Sequence, residues 1–374
     1  MFLDAQALAS EGLGTAFAFF LLFLLFVRIA TIATERVPRL FFFGAAWLTM
    51  TLLAGRRVVI AGEGGGADAW GYKDHFLSPQ GAAGIPLTAT GSRSANEPLH
   101  LGLMRLVRVF TSDDQVYFLV LHGIIMLGVV YFISKVWTRD LPVLPLLLYF
   151  PAYLSSLSAI RNWIAIAMLL VALTFYMKRS VKGYYVWAMV AMGFHYSAVV
   201  FLALPIIMWL IERRPTIARA VVVLLVMNGA IYVSGGIMTG LLAGGRYEQY
   251  LSWEEASFFF VAPMLAIAVL GISIALRSEA VPPESRRLVS SMIFAAGLTT
   301  LIMFYGGFRY LSYSILPQAA VAAIVLYAAR NRGRANLLAQ IGVPIAVYAM
   351  LFVEASGLLR SVISTSQVFP LTWH

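Results

Sequence analysis

The 374-residue sequence contains no cysteine, and only 12% of its residues are charged. The absence of cysteine excludes a disulfide framework, a thiolate metal site and a cysteine nucleophile. The scarcity of charge excludes an ordinary soluble domain, in which about a quarter of the residues are charged. Hydrophobic residues make up 61% of the chain, and the mean hydropathy is +0.84. These values indicate helices that lie mostly in lipid or against one another.

The sequence also lacks the usual signatures of metal, nucleotide and nucleic-acid binding. Its five histidines are scattered, so we expect no metal site and no other cofactor. The run GEGGG lacks the Lys and Ser or Thr that complete a phosphate-binding loop. The formal net charge of +10 does not predict a nucleic-acid partner, because Lys and Arg occur in short runs between apolar segments and form no basic domain.

Apolar runs that approach the length of a membrane span recur along the whole chain. A helix needs about 20 apolar residues to cross a bilayer core of about 30 Å. Asp4 and Glu11 lie near the start of the chain, and no Lys or Arg precedes the first apolar run. Because a signal peptide begins with a basic region, we expect this run to remain as a span. The predicted spans are 14–34, 40–55, 115–135, 141–158, 160–177, 184–211, 216–235, 256–276, 288–305, 309–329 and 335–355.

The basic loops make the run 184–211 an exception. Short basic loops are usually cytoplasmic, yet MKRSVKG and IERRPTIAR flank this single run and would lie on opposite sides of a simple span. We therefore predict a hairpin of two short helices with a bend near 193–196, facing a cavity open to the outside. The expected fold is an all-α polytopic membrane protein of about 12 membrane segments, one membrane domain over 1–374, with both ends outside.

One long segment outside the spans, 56–113, is predicted to be external. It begins with a Gly-rich stretch and ends in EPLHLGLMRLVRVF, which has the pattern of an amphipathic helix lying at the membrane interface. A loop of this length is usually functional or disordered. Its apolar and aromatic content favours a functional loop.

Three arginines stand near external ends of predicted spans, namely Arg161, Arg309 and Arg246. A charge at such depth is costly, and a single Arg most simply extends toward the lipid headgroups. Small residues precede Arg161, and two glycines precede Arg309, so a ligand has room to approach both. Guanidinium groups converging from separate helices suit phosphate oxygens. The pattern predicts an outward-facing site for an anionic ligand, with a lipid-linked diphosphate as the leading candidate.

The motifs in their order along the chain resemble the EpsG-like branch of the Wzy polysaccharide polymerases. They are GRR, GADAWGYKDHF, NEPLHLGLMRL, SAIRNWIAIAMLLVALTFYMKR, AMGFHYSAVVFL, RYEQY and GGFRYLSY, and the resemblance covers about 50–315. The most specific part is Arg161 followed by the bend from Phe194 to Ala198. Two motifs depart from the family pattern: Arg161-Asn162 stands where Arg-Gln is usual, and 66–69 reads Gly-Ala-Asp-Ala instead of Gly-Thr-Asp-Thr.

The resemblance implies a glycosyltransferase of the GT-C type in the bacterial inner membrane, with its site on the periplasmic or outer face. Such an enzyme moves a growing glycan from undecaprenyl diphosphate onto the next lipid-linked repeat unit. The implied partners are the undecaprenyl-diphosphate-linked oligosaccharide and membrane lipids, with a flippase and a chain-length regulator as further candidates. Another GT-C transferase, such as an O-antigen ligase, and a lipid-linked glycan transporter remain alternatives.

Under this hypothesis the arginines bind the diphosphate, and a nearby group removes the proton from the acceptor hydroxyl. The candidate bases are His195, Glu97 and Asp68, of which His195 is favoured by its place at the bend. Aromatic residues are candidates for contact with the sugars, although several are equally explained as interfacial aromatics. These candidate substrate-binding residues are Tyr72, Trp70, Tyr247, Tyr250, Tyr310 and Tyr313.

Overall fold

The computed structural model describes residues 2–59, 67–78, 97–212, 222, 226, 266–267, 269–271, 278–279, 281–304, 308–331 and 337–365. Regular structure in these ranges is helical. The α-helices are α1 (Phe2–Ile32), α2 (Arg36–Gly55), α3 (Ala67–Leu77), α4 (Pro98–Phe110), α5 (Asp114–Val136), α6 (Tyr149–Ser156), α7 (Ile160–Met177), α8 (Val181–Phe194), α9 (Leu204–Glu212), α10 (Pro283–Phe304), α11 (Phe308–Arg330) and α12 (Leu337–Thr365). Two 3-10 helices join them, η1 (Leu144–Leu148) and η2 (Tyr196–Ala203).

Within these ranges, six helices contain an apolar stretch long enough to cross a membrane, so the chain is a multi-pass membrane protein, as predicted. These stretches are Gly12–Ile32, Arg36–Gly55, Asp114–Val136, Ile160–Met177, Ser312–Arg330 and Gln340–Arg360. The predicted spans 216–235 and 256–276 lie largely outside the described residues. The described residues therefore bear out the class of fold, and the count of about 12 segments stays a prediction.

The predicted span 141–158 is wrong as one continuous helix. The apolar helical run here is only Leu144–Ser156, and it begins as the 3-10 helix η1 before continuing as α6. Pro145 stands in the first turn of η1, and Pro151 follows soon after the start of α6. Pro151 lacks the N–H that would bond to the carbonyl four residues earlier if one α-helix continued through η1 into α6, so the run is interrupted there.

The predicted hairpin in 184–211 is confirmed by a break at His195. Helix α8 ends at Phe194, His195 has extended backbone angles (φ −152°, ψ 121°), and η2 begins at Tyr196. The Tyr184 hydroxyl in α8 donates a hydrogen bond to the Phe201 carbonyl in η2 at 2.6 Å. The chain has therefore turned back on itself, with its bend where the loop charges predicted it.

The described part of the predicted external segment forms a packed layer over one end of the bundle. Phe76 of α3 stacks on Tyr117 of α5, with ring centres 4.3 Å apart, and the Arg108 guanidinium of α4 lies 5.6 Å from the Phe76 ring centre. Lys73 forms an ion pair with Asp114 at 2.8 Å. Helices α3 and α4 are therefore fixed to the start of α5, and the external position and functional role of the segment 56–113 stay predictions.

The same end of the bundle gathers the termini of four packed helices. Helices α2, α5, α7 and α8 pack in sequence against one another. Helix α2 ends at Gly55, α5 begins at Asp114, α7 begins at Ile160, and α8 ends at Phe194. Charged residues at these ends thus lie near one another although they are far apart in sequence.

Close packing of α5 on α7 depends on Gly128. A Cβ at this position would lie 2.7 Å from the Ala167 carbonyl oxygen and 2.8 Å from the Ala167 Cβ. Gly44 of α2 provides a matched control, because a Cβ there meets no atom within 4 Å.

We expect Gly128→Ala to lower the thermal midpoint of the detergent-purified protein, because overpacking costs about 1–3 kcal/mol and exceeds the gain of up to about 1 kcal/mol from replacing Gly in a helix. Gly44→Ala should leave the midpoint equal or higher. Equal midpoints for the two variants would contradict this packing.

Candidate functional site

A buried arginine, Arg57, holds the turn between α6 and α7. Arg57, just after α2, is 1% exposed and donates hydrogen bonds to the carbonyls of Ala54 at 2.6 Å and Leu157 at 2.8 Å. Its guanidinium also lies 4.7 Å from the Phe118 ring centre. Burial lowers the pKa of Arg57 to about 10, so the group is still cationic at neutral pH. Arg57 thereby fixes the chain that leads into α7.

Arg161 lies in the first turn of α7 and is the centre of the candidate site. Its Nε donates a hydrogen bond to the Tyr72 hydroxyl at 3.0 Å, and its guanidinium carbon lies 5.2 Å from the Tyr72 ring centre. Its Nη1 pairs with Oε2 of Glu97, which is 6% exposed. A charge at this depth requires such pairing, since an uncompensated ion in an apolar environment is strongly disfavoured.

The first turn of α3 docks directly on the turn before α7. The backbone N–H of Asp68 donates to the Ser158 hydroxyl at 3.3 Å. This contact sets Tyr72, four residues later on the same face of α3, beside Arg161. Burial raises the pKa of the Tyr72 phenol, with Arg161 acting in the opposite direction, so the phenol stays protonated at neutral pH.

His195 approaches the same carboxylate from the bend of the hairpin. Its Nδ1 lies 3.8 Å from Oε1 of Glu97 and accepts a hydrogen bond from the Ser197 backbone N–H at 3.2 Å. The Ser197 hydroxyl lies 3.0 Å from the same nitrogen and 2.9 Å from the Tyr313 hydroxyl of α11. Hydrogen bonds thereby link the hairpin bend to α11, and the carboxylate of Glu97, which precedes α4, lies close to the same imidazole.

The structure thus brings together four of the predicted site residues: Arg161, Glu97, His195 and Tyr72. Tyr313 joins them through Ser197. Asp68 lies at the edge of the cluster with an exposed side chain, and Trp70, 46% exposed, is on the same helix.

The remaining predicted residues fall on two other segments of the chain. Arg246, Tyr247 and Tyr250 are outside the described residues. Arg309 and Tyr310 belong to the first turn of α11, but their side chains are not among those described. Tyr313 is four residues after Arg309 and reaches Ser197. The end of α11 that carries Arg309 therefore adjoins the site.

His100 is a site neighbour that was not among the predicted site residues. It is 2% exposed, its Nε2 lies 3.3 Å from the Tyr117 hydroxyl, and its ring centre is 5.5 Å from that of Tyr72. Burial, and secondarily the charge of Arg161, lower its pKa to about 3. The sequence signal was the four-residue spacing between His100 and Met104, which places both residues on one face of α4.

Ser197 and Arg57 were also missed as individual residues. Both fall inside motifs that carry the family resemblance, but a serine near a bend and an arginine after a span have many ordinary explanations. Their roles become visible only once the chain segments that they join are adjacent. Within the described ranges, no group of three or more His, Asp or Glu residues is arranged to hold a metal ion.

Comparison with known proteins identifies one family. The model of the EpsG family matches residues 40–373, which include every element of the cluster around Arg161. No curated protein and no solved structure was found to match the chain.

The buried, neutral His100 predicts a loss of stability in acid. Its pKa is about 3 in the folded chain, against an ordinary value of 6.5. The unfolded chain therefore binds the extra proton as the pH falls below 6.5, and this favours unfolding until about pH 3.

We expect His100→Gln, which cannot take up that proton, to remove about 2 kcal/mol of the acid-induced loss by pH 5. The measurement is thermal unfolding in detergent at pH 7.5 and pH 5 for both proteins. An identical drop in the wild type and the variant would contradict the buried neutral state.

Proposed function

We propose that this chain, which belongs to the EpsG family, is a polysaccharide polymerase that acts on lipid-linked sugars at the outer face of the inner membrane. It transfers a growing glycan from undecaprenyl diphosphate to the terminal sugar of a lipid-linked repeat unit. The observation that supports this most strongly is the partly buried Arg161 at the end of a span, which contacts the Tyr72 phenol and pairs with the Glu97 carboxylate. The His195 imidazole faces the other oxygen of that carboxylate. A flippase that delivers repeat units and a regulator of chain length fit as partners.

Arg161 binds the donor diphosphate in this proposal. During transfer, the bond between the anomeric carbon and the phosphate oxygen breaks, and the acceptor hydroxyl oxygen forms the new bond to that carbon. The electron pair of the broken bond leaves on the diphosphate, whose charge grows. A fixed guanidinium stabilises this charge most effectively where water is excluded. Tyr72 and Glu97 orient Arg161 for this task.

Glu97 is the best-placed acceptor for the proton of the attacking hydroxyl. Its carboxylate lies at the centre of the cluster, whereas the Asp68 side chain is exposed at the edge. The predicted role of His195 as the base is less well supported, because its Nδ1 already accepts the Ser197 N–H. We therefore assign the proton to Glu97.

Donor binding and base strength are coupled through Arg161. The diphosphate and the Glu97 carboxylate are both anions that interact with one guanidinium. Each weakens the pairing of the other, and a carboxylate that loses its cationic partner gains proton affinity. Glu97 therefore becomes a stronger base when the donor is bound. Trp70, exposed on α3 beside the cluster, offers a ring on which a sugar can stack.

Replacing Arg161 should abolish polymer formation. In cells whose only copy is Arg161→Ala, we expect chains longer than one repeat to fall at least 100-fold, since removal of one transition-state charge contact costs about 3–4 kcal/mol. Arg161→Lys should restore only a small part of the polymer, because an ammonium lacks the planar pair of donors that a guanidinium presents to phosphate. Polymer length on gels, normalised to protein abundance, gives the readout.

Arg105→Ala is the matched control for Arg161, because Arg105 lies on α4 close to the site but is exposed. We expect normal chain lengths from this variant. Normal chains from both Arg161 variants at unchanged abundance would overturn the diphosphate role.

Substitution of Glu97 should separate binding of the donor diphosphate from transfer of the glycan. Glu97→Gln removes the competing negative charge and the base together. Purified Glu97→Gln in nanodiscs should therefore bind undecaprenyl diphosphate at least as tightly as the wild type, while making no polymer in cells. Weaker binding together with normal polymer would contradict the assignment of Glu97 as the base.

A further inference from the structure

The hydrogen bonds around His195 determine where its neutral ring carries the proton. His195 is the N-cap residue of η2, and its Nδ1 accepts the backbone N–H of Ser197 at 3.2 Å. A backbone N–H can only donate, so Nδ1 must present its lone pair. In the neutral imidazole the proton is then on Nε2.

A second donor supports the same tautomer. The Ser197 hydroxyl lies 3.0 Å from Nδ1 and 2.9 Å from the hydroxyl of Tyr313, which is 5% exposed. If Tyr313 donates to Ser197, the Ser197 hydroxyl donates to Nδ1, and every hydrogen in the chain has an acceptor. The carboxylate of Glu97 is 3.8 Å from Nδ1, too far for a hydrogen bond. Nδ1 therefore accepts the Ser197 backbone N–H, and the Ser197 hydroxyl is placed to donate to the same nitrogen.

We propose that His195 acts as a hydrogen-bond donor through its Nε2–H, directed to an oxygen of the donor diphosphate, and that Ser197 and Tyr313 are positioning residues that hold this tautomer. This inference rests on the proposed function. It differs from the role of base, because a base at Nε2 needs the opposite tautomer. That tautomer would set an Nδ1–H against the Ser197 N–H and break the cap of η2.

Two amide substitutions separate the possible roles of His195. The side-chain nitrogen of Gln reaches about as far as Nε2 and keeps a donor there, while Asn reaches only about as far as Nδ1 and keeps the capping acceptor. Neither amide can serve as a base at neutral pH. We expect His195→Gln to make at least tenfold more polymer than His195→Asn at equal protein abundance.

The other outcomes each overturn the proposal. Equal loss in both variants indicates a base, more polymer from Asn than from Gln indicates a cap alone, and full activity in both shows that the ring is not needed. Polymer synthesis in isolated membranes gives the readout.

The positioning residues are tested by epistasis. Ser197→Ala and Tyr313→Phe should each lower polymer synthesis at least threefold in the wild type. They should have no further effect in His195→Gln, because an amide has no tautomer to select. Tyr327→Phe, on the same helix as Tyr313, is the control and should be fully active. Equal effects in both backgrounds would overturn the positioning role.

Arg161→Ala in the same membranes distinguishes the two levels of the proposal. If Arg161→Ala makes normal polymer, the proposed function fails. If Arg161→Ala is inactive while the variants His195→Gln and His195→Asn give one of the contrary outcomes, only the proposed role of His195 fails.

Discussion

The ion pair between Arg161 and Glu97 is the interaction on which the arrangement of this protein depends. Arg161 belongs to a membrane-spanning helix, and Glu97 precedes a helix of the layer that covers the bundle. Burying either charge without the other is costly. Because the two residues come from separate segments, their pairing fixes the layer on the spans.

Other contacts refine the same attachment. The Asp68 backbone binds Ser158 in the turn that Arg57 holds, and this sets the Tyr72 hydroxyl against Arg161. On the opposite side, the hairpin bend brings His195 within 3.8 Å of Glu97. A broken helix is tolerated in a membrane protein where it is buried or lines a cavity. The break at His195 therefore serves to present a polar ring to the site.

Much of this could be predicted from the sequence, for identifiable reasons. Charges at the ends of apolar runs are conspicuous, which singled out Arg161, and the two basic loops that flank the run 184–211 required a bend within it. Tyr72 was predicted as a sugar-stacking or interfacial aromatic, because composition does not reveal that its hydroxyl accepts from Arg161. Ser197 and His100 acquire their roles from partners on other helices. The proline-interrupted run 141–158 misled because hydropathy measures apolarity and not helical continuity.

A double-mutant cycle between Arg161 and Glu97 tests the central claim most directly. Free energies of unfolding would be measured in detergent for the wild type, Arg161→Gln, Glu97→Gln and the double variant. Each single variant removes one member of the ion pair, so the two residues should show a coupling energy of about 1–3 kcal/mol. Additive effects, with a coupling energy near zero, would show that the ion pair does not hold the layer to the spans.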